Sequence, residues 1–161
     1  MHKYTKNNTK FVGCLAEKCF QYHAMLNGIM TSSPDNDMGR YDSLTDYMGL
    51  IFKTQVKCAT VKFGKNGAVS YKVNTSSVHR GKSVAYSSNS VDLITIVVPA
   101  DEYTPEPVFY HVPIDQVNGR KTLNVAPGRN ATHGNATTLR WMEQFRNNWD
   151  LFKAIPLKKA A

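Results

Sequence analysis

The run Leu93-Ile94-Thr95-Ile96-Val97-Val98 constrains this chain more than any other segment. A strand with one wet face alternates polar and apolar residues, whereas this run, opened by Asp92 and stopped by Pro99, hardly alternates at all. It therefore predicts the centre of a sheet covered on both faces. It is also the longest apolar stretch, far below the roughly 20 residues that a membrane-spanning helix needs, so no membrane partner is expected.

The segments around it supply the covering layers. Val12, Leu15, Cys19, Tyr22 and Leu26 recur at steps of three and four, which predicts an amphipathic helix from Phe11 to Asn27, ended at Asn27-Gly28. Ile29-Met30-Thr31 reads as a short strand. Tyr41 to Tyr47 and Leu50 to Val61 are rich in β-branched and aromatic residues and are separated by Met48-Gly49, the pattern of an antiparallel hairpin. A second turn at Lys65-Asn66-Gly67 leads into Ala68 to Asn74, and three successive strands predict a meander. Thr75 to Ser90 reads as a polar surface loop. Val108 to Ile114 is the expected neighbour of the central strand, and Lys121 to Val125 a short edge strand. A last helix is expected from Thr138 to Phe152, with Leu139, Met142, Phe145, Trp149 and Phe152 on one side. The fold class is thus α/β (α+β mixed), a central mixed β-sheet flanked by helices. At 161 residues the chain suits one domain, 1–161, with a core over about 11–126 and the C-terminal helix over about 138–152.

Charge narrows the class of partner. Twenty Lys and Arg against twelve Asp and Glu give a net charge of +8, which points to a polyanion. Basic residues are divided evenly about Asn74, ten on each side, so the charge belongs to the folded domain and not to a tail. Met1 to Lys10 carries no apolar segment of a signal peptide, so a cytoplasmic location is expected, at the nucleoid if the source is bacterial or phage. Cys14, Cys19 and Cys58 lack C-x-x-C spacing and read as small packing residues. His23, His79, His111 and His133 show no ligand spacing, which argues against zinc.

Chemistry concentrates in Tyr41-Asp42 and Gln55-Val56-Lys57. On a strand, Gln55 and Lys57 share one face and Val56 points to the other, and Asp42 opens the antiparallel neighbour. An acid, an amide and an ammonium then meet on one sheet face, with Glu17 of the first helix a candidate to reach them. Hydrolysis of a phosphodiester needs a hard cation, and Mg²⁺ takes oxygen ligands from one or two carboxylates and water. Asp42 is the candidate central ligand, with the Gln55 side-chain oxygen and the Val56 carbonyl beside it. Lys57 would orient the attacking water and stabilise the transition state. Taken alone, Gln-x-Lys is also the pattern of any exposed strand face, and a Glu on a helix is usually a solvated charge.

These residues resemble the core of the PD-(D/E)XK nuclease superfamily, with Gln55 where a second acid is usual. That Gln, with Gly13 and Glu17, Pro34 ahead of the acid, Val91-Asp92, and Tyr110-His111-Val112-Pro113, is similar to the small group I intron-encoded homing endonucleases of cyanobacterial type. The resemblance implies a restriction-endonuclease-like core and a Mg²⁺-dependent (or other divalent-cation) endonuclease that cuts double-stranded DNA. It implies catalytic residues Glu17, Asp42, Gln55 and Lys57, a metal held by Asp42, Gln55, Val56 and Glu17, and a homodimer or homotetramer. A Holliday-junction resolvase or restriction-type nuclease shares this core, and Gln55 also invites a non-catalytic DNA-binding module. Lys53, Lys62, Asn66, Lys72, His79, Arg80 and Lys82 are the candidate DNA contacts, on hairpins able to enter a major groove.

Overall fold

A computed structural model describes residues 9–34, 40–64, 67–79, 81–127 and 136–154. Asn66 and Arg80 lie outside the described residues, and of His79 only the backbone is described.

Five strands form the main sheet: β1 (Met30–Ser32), β2 (Ser43–Tyr47), β3 (Leu50–Cys58), and, after a long excursion, two more. The excursion holds β4 (Thr60–Phe63), β5 (Val69–Asn74), β6 (Ser76–His79) and β7 (Lys82–Ala85), before β8 (Leu93–Val98) and β9 (Val108–Pro113) complete the sheet in the order β1-β2-β3-β8-β9. Only β3 and β8 run parallel within it, so the sheet is mixed, and β8 is buried at every residue. The β2–β3 turn places Met48 at φ 52° and Gly49 at φ 86°, the two positive φ values of a tight hairpin turn, and Gly49 N–H donates to Asp46 Oδ1 at 2.7 Å.

Each face of β8 and β9 has its own core. The helix α1 (Thr9–Leu26) covers one face through Ala16, Phe20 and Ala24, packed with Phe52, Val56, Leu93, Val97 and Phe109. Against the other face lie Val69, Tyr71 and Val73 of β5 and Leu123 and Val125 of β10 (Thr122–Val125). Strands β10, β5 and β4 pair in that order as a second sheet, entirely antiparallel. The short α2 (Ile114–Val117) follows β9, α3 (Ala136–Glu143) adds Met142 to the second core, and α4 (Leu151–Ala154) adds Phe152 to the first.

Five expectations are corrected. The exposed side of α1 carries Leu15, Tyr22 and Leu26, whereas small alanines flank Phe20 on the buried side; close helix-on-sheet packing favours small residues, and the apolar period marked the wrong face. The Leu50–Val61 strand breaks at Ala59, whose N–H still donates to Val97 O at 2.8 Å before the chain enters the second sheet. The meander is therefore shared between two sheets. The polar loop forms a hairpin, β6 with β7, turned by Gly81 at φ 74°. The expected last helix is interrupted: Asn147 takes φ 48°, and its side chain accepts the Phe109 N–H at 2.9 Å. Of the cysteines, Cys19 and Cys58 are half-buried as packing residues, but Cys14 is exposed.

Candidate active site

Asp42 lies one residue ahead of β2, and its N–H donates to Thr54 O at 3.0 Å, so the hairpin ladder includes it. Ser43 pairs with Thr54, which sets Asp42 opposite Gln55. Asp42 Oδ2 accepts the Val56 N–H at 2.8 Å and also an amide N–H of Gln55. The strand alternates as its pattern requires: Phe52 and Val56 face α1, so Lys53, Gln55 and Lys57 share the opposite face. Gln55 is only 4% exposed, a burial that a solvated strand face would not show.

Lys57 is half-buried and holds its ammonium 5.3 Å from the centroid of the Tyr86 ring. That ring face carries negative quadrupole density and restrains the cation without neutralising it. Neither of the two ion pairs among the described residues, Arg146–Glu143 and Lys153–Asp150, involves Lys57. Lys53 lies beside the Tyr41 ring at 6.0 Å, and its main chain exchanges two hydrogen bonds with Asp92 at 2.8 Å each: its N–H to Asp92 Oδ2 and its carbonyl from Asp92 N–H. Asp92 thus closes the start of the parallel β3–β8 pair, its strand-initiating reading.

Asp42, Gln55, Val56 and Lys57 are therefore brought together, with Lys53 next along the same face. Glu17 is half-buried on α1, the helix that packs over β3. Lys62 and Lys72 are exposed on β4 and β5, and Lys82 is exposed on β7, where it pairs with His79. Tyr86 escaped sequence reading because it stands 29 positions beyond Lys57, in a stretch that looks like an ordinary polar loop. Thr60 and Asn74 were also missed; with Lys57, Lys62 and Lys72 they line a groove of about 270 Å³ that opens from the site.

The donor set suits a hard cation. Asp42 Oδ2 is met by the Val56 N–H and the Gln55 amide, and that amide, rotated by half a turn, offers Oε1 where it now offers N–H. Among the described residues no three His, Cys, Asp or Glu side chains cluster, so a cation here would meet at most two carboxylates, with neutral oxygens and water completing its shell, which Mg²⁺ accepts. Burial pushes the Cys58 thiol up to about 11, with Cys19 adding to the shift, which favours the protonated thiol at neutral pH.

A mixed sheet thus brings Asp42, Gln55 and Lys57 together at one hairpin, with a helix across the other face. A model of the PD-(D/E)XK endonuclease family matches residues 7–148, and the chain belongs to that family. Among solved structures, it is similar to a bacterial homing endonuclease, I-Ssp6803I, with 22% sequence identity, a TM-score of 0.71, and coverage of 90% of this chain and 93% of that one. That likeness establishes the fold, a restriction-endonuclease-like α+β core. No curated protein sequence matches. The protein is an endonuclease of a family that generally uses divalent metal ions, and no helix among the described residues is long and apolar enough to cross a membrane.

Proposed function

We propose that the protein is a Mg²⁺-dependent, site-specific endonuclease that hydrolyses both strands of duplex DNA and serves intron homing in the cytoplasm. The observation that carries this reading is the pairing of Asp42 with Gln55 across β2 and β3, with Lys57 on the same face two residues on. The similar solved structure is of a homing endonuclease, which supports homing as the task.

Asp42, the Gln55 Oε1 and the Val56 carbonyl would hold the ion, and Glu17 is proposed as a second carboxylate from α1, the helix on the other face of β3. When bound, it supplies positive charge against the phosphate oxygens and lowers the pKa of a bound water. The protein groups do the rest. Asp42 is fixed by the Val56 N–H, so its second oxygen keeps one orientation. Lys57, steadied on Tyr86, directs its ammonium at the attacking water and at the charge that grows on the phosphoryl oxygens. Lys53, Lys62, Lys72 and Lys82, with His79, Asn66 and Arg80, are proposed to contact DNA. The two-stranded β6–β7 hairpin has the width that a major groove admits.

Assembly as a homodimer or homotetramer is part of the same proposal. Phe11, Leu15, Tyr22 and Leu26 form an exposed apolar stripe along α1, opposite the face that packs on the sheet, with Met25 and Met30 beside it. A second copy would remove that surface from water, and two-fold assembly suits a palindromic target.

Plasmid DNA incubated with purified protein and Mg²⁺ tests the reading. Linear product is expected, abolished by a chelator and reduced about 10²-fold or more in Asp42→Ala and Lys57→Ala. Duplex binding with no cutting of cognate DNA would leave a non-catalytic module, and preferential cutting of a four-way junction would make it a resolvase.

A further inference from the structure

The outer face of the second sheet is polar throughout. Pairing sets Thr60, Lys72 and Asn124 in one row across β4, β5 and β10. Strand alternation puts Lys62 and Asn74 on that same face, while Val61, Tyr71, Val73 and Leu123 turn inward to the core. No carboxylate stands among these outward residues, and neither Lys62 nor Lys72 takes part in the two ion pairs among the described residues. The groove of about 270 Å³ joins this face directly to Lys57 of the active site.

We infer that this face and groove form a clamp for the sugar–phosphate backbone, which seats the phosphates beside the one that is cut. The inference rests on the endonuclease reading of the adjoining site. Two ammonium groups meet phosphate charge, and the short hydroxyl and amide groups of Thr60 and Asn74 donate hydrogen bonds to phosphate oxygens. Such contacts fix register and orientation without reading sequence. A three-stranded face is too broad to enter a major groove, which admits a two-stranded ribbon, so base reading falls to the β6–β7 hairpin. The clamp's place relative to Lys57 is rigid. Ala59 N–H holds Val97 O at 2.8 Å where the chain leaves the main sheet, and Tyr71 on the inner side donates its hydroxyl to Asp101 at 2.9 Å.

The test measures duplex binding by the metal-free protein as a function of salt, on several DNA sequences. Lys62→Ala and Lys72→Ala should each lower the slope of log K against log salt by about 0.9, and the double variant by about 1.8. The weakening should be uniform across sequences, and Lys72→Arg should restore the slope. Asn74→Ala should weaken binding with the slope unchanged. An unchanged slope in the double variant, or a loss confined to one DNA sequence, overturns the clamp. Cleavage is scored separately: wild-type protein that cuts with Mg²⁺ while the slope stays unchanged refutes the clamp alone. Protein that never cuts, yet shows the slope changes, keeps the clamp and refutes the endonuclease.

Discussion

His111 should make the protein acid-sensitive well above the range in which carboxylates titrate. The side chain is fully buried between Phe20, Phe109, Trp149 and Phe152. Its Nδ1 lies 3.0 Å from Thr95 Oγ1, and its Nε2 has no hydrogen-bond partner among the described residues. Burial pushes its pKa down from 6.5 to about 3. The native state then holds one proton fewer than the unfolded chain between those two values. The stability this confers is complete above pH 6.5 and is lost progressively as pH falls toward 3. Each pH unit in that window costs about 1.4 kcal/mol, so pH 4.5 removes about 2.7 kcal/mol from a total typically of about 5–15. Urea unfolding at half-unit steps from pH 7 to 4.5 measures the slope. His111→Leu serves as the comparison. It should cost about 1–3 kcal/mol at pH 7, since Thr95 loses its partner. Its stability should then fall less steeply than the wild type by about one proton's worth. Parallel profiles for the two proteins would refute the argument, because they would mean that His111 is protonated in the fold or is reached by water.

Three further outcomes follow from single residues. Met48 sits in the left-handed region and is 88% exposed, so Met48→Asn, the residue that this turn favours, should stabilise the protein by about 0.5–1 kcal/mol, read as a rise in Tm of a few degrees. Tyr86→Leu should slow cleavage about 2- to 30-fold, the equivalent of a cation–ring contact of about 0.5–2 kcal/mol, with the dependence on Mg²⁺ concentration unchanged; Tyr86→Phe should restore the rate. Leu15→Glu combined with Tyr22→Glu should shift sedimentation to the monomer while the melting curve of the fold is kept, because both side chains point away from the core.

The elements that were legible in the sequence are those whose rule is local. Leu93–Val98 admits only a doubly covered strand, Met48-Gly49 only a tight turn, and the spacing of Gln55 and Lys57 only a shared face. The juxtaposition at the candidate site was legible for the same reason: strand alternation and a short hairpin are enough to place Asp42 opposite Gln55. What was not legible depends on partners distant in sequence. The break at Ala59 arises from a second sheet that begins one residue later and finds its partners in β5 and β10. The interruption at Asn147 exists because Phe109 needs an acceptor for its N–H, and nothing in Thr138 to Phe152 announces that need. On α1, Leu15, Tyr22 and Leu26 give a good helical period, yet the tight fit against β3 selects Ala16 and Ala24.

The excursion between β3 and β8 gives these separate features one logic. Two parallel neighbours require a crossover, usually a helix. Here residues 59–92 cross over as strands, and a sheet with one face on the core has its other face open. Lys62, Lys72, His79 and Lys82 all lie in this crossover, and so does Tyr86, which steadies Lys57. Both ends of the crossover are tied to the strands it connects: Ala59 donates to Val97, and Asp92 exchanges hydrogen bonds with Lys53. A surface anchored in that way cannot shift against Lys57 without breaking the parallel pair itself. Substitutions at Asp92 should therefore disturb the spacing between the polar face and the active site as well as stability. Asp92→Asn, which retains an acceptor for the Lys53 N–H, should be much milder in melting temperature and in cleavage rate than Asp92→Ala, which leaves that N–H unpaired at a cost of about 1–3 kcal/mol. Equal effects of the two substitutions on both measurements would show that the crossover is not held through this carboxylate.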